Sequence, residues 1–154
     1  MEIKDITLGT VLCMRKRLTI PEVGAASVAC CRTIQEAAEQ SGLDVAGPWH
    51  FIAHGLPQDT QTKFEIEFTL PVSGECHGVP GDGVELKESR YFRCASTQYS
   101  GSLSQLFEAG YQPLLQAMAD NNCALTGESR EIYHQWHGPE SAKNVIEIQF
   151  GIRE

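Results

Sequence analysis

The feature that most constrains this chain is an internal repeat. Shifting the sequence by 80 positions sets Gly47 on Gly127, Ile52 on Ile132, His54 on His134, Lys63 on Lys143, Ile66 on Ile146 and Glu67 on Glu147. Ala29 with Ala109 and Ala37 with Ala117 complete eight identities at one gapless offset. The apolar positions of two helical segments map as well, Ile34 onto Leu114 and Ala38 onto Met118. A two-copy structural repeat follows. The copies, about 1–74 and 82–154, are expected to build one domain over residues 1–154.

Periodicity gives the content of each copy. The spacing predicts a helix over Ala25–Ser41, with Val28, Cys31, Ile34 and Ala38 as its apolar stripe and Gly42 as its stop. A second helix is expected over Ser102–Asn121, with Leu103, Leu106, Phe107, Leu114 and Met118 inward and Gly110 and Pro113 bending or interrupting it. Extended segments are expected within Ile6–Arg17 and Glu85–Tyr99, and over Trp49–His54, Thr62–Leu70, Ser129–Gln135 and Asn144–Ile152. The Gly-rich run GVPGDG reads as the connector between copies. It lacks the Lys-Ser/Thr of a phosphate loop. The pattern is βαββ twice, an α+β fold with pseudo-twofold symmetry. A curved antiparallel sheet would carry two helices on one face and a ligand groove on the other.

Strand alternation then assigns faces. Ile146, Ile148 and Phe150 form one side of the last strand, and Phe64, Ile66, Phe68 and Leu70 that of its repeat. These sides are expected to meet the helices. With Ile132 placed on that side, Glu131 and Tyr133 point away from it. The open face then collects Glu67, Glu131, Glu147, Tyr91, Tyr133, Phe51 and Arg93. Rings with carboxylates suit an apolar or cationic small molecule. The plainer alternative is a sheet face shown to water.

Charge and cysteines narrow the classes. The net charge is −8, and the one dense basic cluster is Arg15-Lys16-Arg17, so direct nucleic-acid binding is not expected. No run approaches the ~20 apolar residues of a membrane span, and the start has no signal-peptide architecture. A cytoplasmic location with reduced thiols is expected, with Cys31, Cys94 and Cys123 as small core residues. No cofactor is called for. His134, His137, Cys76 and His77 do not form a convergent zinc set by spacing. Trp49 and Trp136 read as core or rim residues.

The segments GLDVAGPWHFIAH, FEIEFTLPV, YSGSLSQLFEAGYQPLLQAMADNNCALTGESREIYHQW and VIEIQFGI resemble the GyrI-like small-molecule-binding domains, also known as bacterial transcription activator effector-binding domains. The resemblance covers nearly the whole chain and departs from the family at Gly151, where a proline is expected. It implies the duplicated βαββ fold and a ligand groove between the halves. It implies that Glu131, in the E-x-Y of REIYH, is the central pocket carboxylate. Relatives are commonly fused to a DNA-binding domain, and this chain reads as a stand-alone version that senses or sequesters an effector. Two alternatives follow from the family. One is a hydrolase of strained, cyclopropane-bearing compounds that uses Glu131, Tyr133 and Glu147. The other is an interaction protein that inhibits a larger or regulatory protein partner such as DNA gyrase.

Overall fold

The computed structural model describes residues 1–78, 80–81 and 83–153. Val79 and Asp82 of the GVPGDG connector therefore lie outside the described residues. The fold is α+β, with antiparallel strands and, among the described residues, two α-helices. The chain divides into two compact units, Thr7–Arg90 and Met1–Ile6 with Tyr91–Glu154.

The first unit holds β2 (Thr10–Leu18), α1 (Val23–Gln40), β3 (Asp44–Val45), β4 (His50–His54), β5 (Phe64–Ser73) and β6 (Glu85–Glu88). Its strand order is β4-β5-β2-β6, with β3 added beside β5. The register sets Leu12 opposite Leu70, Met14 opposite Phe68 and Leu18 opposite Phe64. Opposed side chains lie on one face, and that face packs with Cys30, Ile34 and Ala38 of α1 in one buried cluster. Burying Phe68 and Ile34 completely stabilises by roughly 1.5–3 kcal/mol each.

The second unit holds β1 (Glu2–Ile6), β7 (Phe92–Ser100), α2 (Gln112–Asp120), β8 (Leu125–Gln135) and β9 (Val145–Ile152). Its order is β1-β7-β9-β8. Apart from the two-residue β3, each unit thus runs strand, helix, strand, strand in sequence and carries one further edge strand, β6 in the first and β1 in the second. That edge strand is where the sequence misleads. The stretches Ile6–Arg17 and Glu85–Tyr99 do contain the expected segments, β2 and β7, but β1, which pairs with β7, and the separate strand β6, which pairs with β2, were not foreseen. Gly9, at φ +76°, supplies the left-handed backbone between β1 and β2.

Both helices depart from expectation in detail. The buried residues of α1 are Cys30, Ile34, Ala37 and Ala38, while Val28 is exposed. Ile34 and Ala38 are inward as expected, whereas Cys30 rather than Cys31 enters the core. Cys94 is buried as expected, whereas Cys123 is only partly so. The Ser102–Asn121 segment is interrupted: a 3₁₀ turn at Leu103–Gln105, a π-helical turn at Phe107–Tyr111, then α2 with Pro113 in its first turn. Proline is tolerated there because the first amides of a helix lack intrahelical partners. No helix among the described residues is long and apolar enough to cross a membrane.

Candidate functional site

The register of β8 and β9 decides the site. Glu131 lies opposite Ile148, and Tyr133 opposite Ile146, whereas Ile132 lies opposite Glu147. Directly opposed residues present their side chains on one side of the sheet. Glu131 and Tyr133 therefore share the side of Ile146, Ile148 and Phe150, the side covered by the helical segment. This reverses the expected assignment, which put Glu131 and Tyr133 away from the helix with Glu147. The physical reason is that both faces are buried. Ile132 is only 2% exposed, yet it is buried among Glu147 and its partners, so its burial did not identify the helix side.

Around Glu131 the chain builds an aromatic carboxylate site. Tyr133 Oη donates to Oε1 at 2.6 Å, and Tyr111 Oη donates to Oε2. Tyr111 comes from the π-helical turn. Its ring stacks with Phe107 at 6.3 Å and meets Phe150 edge-on at 5.6 Å. Gly110 lets that turn pack closely: a Cβ there would lie 2.6 Å from Ile148 Cδ1, so that side chain would have to shift. Lacking one, the turn settles on β9 and aims Tyr111 at Glu131. Burial, and then the charge of Glu131, push the Tyr111 phenol well above its ordinary pKa, so it remains a donor. Tyr133 packs edge-on against Trp136 at 5.5 Å. Glu131 and Tyr133 are half-buried, while Phe107 and Trp136 are exposed. Among the described residues no lysine, arginine or histidine pairs with Glu131.

The other expected site residues go elsewhere. Glu147, 5% exposed, accepts from Lys4 at 2.9 Å, Ser96 at 2.7 Å, His134 at 2.8 Å and Gln149 at 2.7 Å. Burial pushes its carboxyl up, but those four donors outweigh it and hold the group at about 2. Glu67 has the same environment in the first unit, with His54 at 2.8 Å, Lys87 at 2.7 Å and Arg15 at 3.2 Å. The His54 bond and then the Lys87 and Arg15 bonds depress it strongly despite burial. These are saturated structural carboxylates. Tyr91 and Arg93 both engage Asp5 at the β1–β7 edge, Arg93 at 2.9 Å. Phe51 lies opposite Phe68 and meets its ring edge-on at 4.9 Å, packed against the core of the first unit. It is the repeat counterpart of Glu131, so the first unit carries a ring where the second carries a charge.

Sequence reasoning missed Tyr111 and gave Phe107 a core role. The signal was available: Tyr111 lies four residues after Phe107 and three before Leu114, on the same side of a helix as the stripe, and the reading passed over it. Gly151, the departure from the family pattern, is explained by contact. A Cβ there would lie 2.3 Å from Thr126 Oγ1 and 2.9 Å from Phe92 Cε1. The buried Arg130 guanidinium in turn sits 3.8 Å over the Phe92 ring.

No family model and no curated protein sequence matches the chain. Solved structures do match in fold. The EcmrR C-terminal domain is 22% identical with a TM-score of 0.76, covering 99% of this chain and 96% of that one. EcmrR in its DNA complex gives 20% identity and a TM-score of 0.78, and this chain spans 57% of that longer chain. SAV2435 bound to tetraphenylphosphonium gives 10% identity and a TM-score of 0.60, covering 99% and 94% of the two chains. A hydrolase from Listeria innocua gives 10% identity and a TM-score of 0.62, covering 99% and 92%. The chain thus has the GyrI-like fold.

Proposed function

We propose that this chain binds a small aromatic cation at Glu131, with Tyr111, Tyr133, Trp136 and Phe107 supplying ring faces, and acts as an effector-sensing or sequestering module. One observation carries the reading: Glu131 is a half-buried carboxylate whose described partners are two phenols and no cation. A charge so placed is costly to desolvate without a counter-ion, and a cation over aromatic faces offsets that cost. SAV2435, which shares the fold, was solved with tetraphenylphosphonium, and this supports the same class of ligand. The acidic surface suits a cationic ligand and not DNA. The six free thiols suit a reducing, cytoplasmic setting.

The test is calorimetry with tetraphenylphosphonium. Wild type should bind, and Glu131→Gln should lose at least about tenfold, some 1.4 kcal/mol. Equal binding by both proteins would remove Glu131 from the site. A hydrolytic reading rests on the same carboxylate with its two phenols, and one fold relative is a hydrolase. Glu147 drops out of that reading, because a carboxyl held at about 2 and bonded four times is a poor base. Mass spectrometry of cyclopropane-bearing compounds after incubation separates the two: Glu131-dependent hydrolysis favours the enzyme.

A further inference from the structure

We infer that Tyr111 determines which cations the Glu131 site accepts: with Tyr133 it places a phenol donor on each carboxylate oxygen, so the site favours cations without N–H donors over ammonium and amidinium groups. This rests on the proposed ligand-binding role of Glu131.

The two phenols are held to different degrees. Tyr111 is 6% exposed and fixed between Phe107 and Phe150. Tyr133 leans on Trp136. Tyr111 Oη occupies Oε2 and Tyr133 Oη occupies Oε1. Neither oxygen is left whole for an incoming fork. A primary ammonium brings three donors and an amidinium a planar pair. Each must share oxygens already bonded to phenols, and packing keeps Tyr111 from swinging away. The remaining N–H groups then face aromatic rings, which are weak acceptors. A buried donor left without a partner costs about 1–3 kcal/mol. A quaternary ammonium or tetraaryl phosphonium brings no donor, so it keeps the attraction of Glu131 and the ring faces at no such cost. The counterpart position in the first unit, Phe51, offers no carboxylate, so this selectivity belongs to the second unit alone.

The experiment compares two probes that differ only in donors, benzyltrimethylammonium and benzylammonium. Dissociation constants are read by NMR titration of the full chain, with tetraphenylphosphonium as the site control. In wild type the trimethylated probe should bind about tenfold or more tightly, the equivalent of one unpaired donor. Tyr111→Phe keeps the ring packing and removes the donor. Its ratio should fall towards one, chiefly because benzylammonium gains. A purely structural role would weaken both probes together and leave the ratio unchanged, which would overturn the inference. Preference of wild type for benzylammonium would overturn it as well. Tyr133→Phe provides the second variant should Tyr111→Phe fold poorly, and its ratio should fall in the same direction. If tetraphenylphosphonium does not bind, or binds regardless of Glu131→Gln, the site itself is wrong and the inference falls with it. If tetraphenylphosphonium binds through Glu131 while the two benzyl probes bind equally, only the role of Tyr111 fails.

Discussion

Glu131 and Glu147 sit on neighbouring strands of one unit, and their surroundings differ in kind. Glu147 is buried on one face of the sheet and surrounded by donors, two of them cationic or able to become so: Lys4 and His134. Glu131 lies half-buried on the other face and meets only phenols. The same residue type is thus a structural anchor in one place and a candidate ligand contact in the other. A one-residue difference in strand position separates them, because successive side chains point to opposite faces. The first unit repeats the anchor, with His54 and Lys87 on Glu67, and lacks the second carboxylate, since Phe51 stands there. Duplication has preserved the scaffold charge and left the site charge in one copy.

The comparison breaks first at Glu147. Glu147→Gln should destabilise the fold by about 3 kcal/mol, because it leaves buried donors unmatched, though Lys4 and His134 retain some contact with water. At roughly 2–4 °C per kcal/mol, the melting temperature should drop by about 6–12 °C. A drop as small as that of Glu131→Gln would erase the distinction. The latter change should cost within about 1 kcal/mol, since a glutamine oxygen still accepts from Tyr111 and the half-buried Tyr133 can turn to water.

Acid sharpens the same contrast. The folded-state pKa of Glu147, about 2, lies below the ordinary 4.5. Its contribution is therefore full above about 4.5 and is lost as pH falls towards 2. The shift corresponds to an amount on the order of 3 kcal/mol. Glu67, depressed further, loses its contribution at lower pH still. Chemical denaturation between pH 5 and pH 2 should show this loss in wild type and a flatter profile in Glu147→Gln. Parallel profiles would mean that the donors around Glu147 do not hold it charged.

Two glycines test the faces separately, with smaller effects. Gly151→Ala should cost about 2 kcal/mol, because the new Cβ would meet Thr126 Oγ1 at 2.3 Å and the Glu128 carbonyl at 3.2 Å. Gly110→Ala should cost about 1 kcal/mol, since Ile148 Cδ1, its nearest contact, is the end of a flexible side chain. It should nevertheless weaken tetraphenylphosphonium binding, by shifting the turn that aims Tyr111. Thermal melts and calorimetry on the two variants should therefore rank them in opposite orders. The same ranking in both measurements would show that Gly110 serves packing alone.

Much of this molecule is legible in the sequence. Period-2 and period-3.6 patterns, an offset repeat and glycine stops determine the βαββ order, the strands Thr62–Leu70 and Asn144–Ile152, and the inward residues Ile34, Leu114 and Met118. They do so because these signals depend on a few neighbours along the chain. The same patterns also bring Glu131 and Tyr133 together, since i and i+2 of a strand share a side whichever side it is. Which side that is, only the tertiary structure decided. It depends on the β8–β9 register, set by pairing between strands, and the usual guide failed because apolar and polar residues are buried on both faces. The same holds for β1, whose partner β7 lies some ninety residues away in sequence. It holds for the stripe of α1, where Cys30 displaced Cys31 by one position. Above all it holds for Tyr111, whose inward side the helical period allows but whose partner it does not name. Close packing of the π turn at Gly110 on Ile148 brings its phenol to Glu131, and no local pattern encodes a contact made by the packing of a helix onto a distant strand.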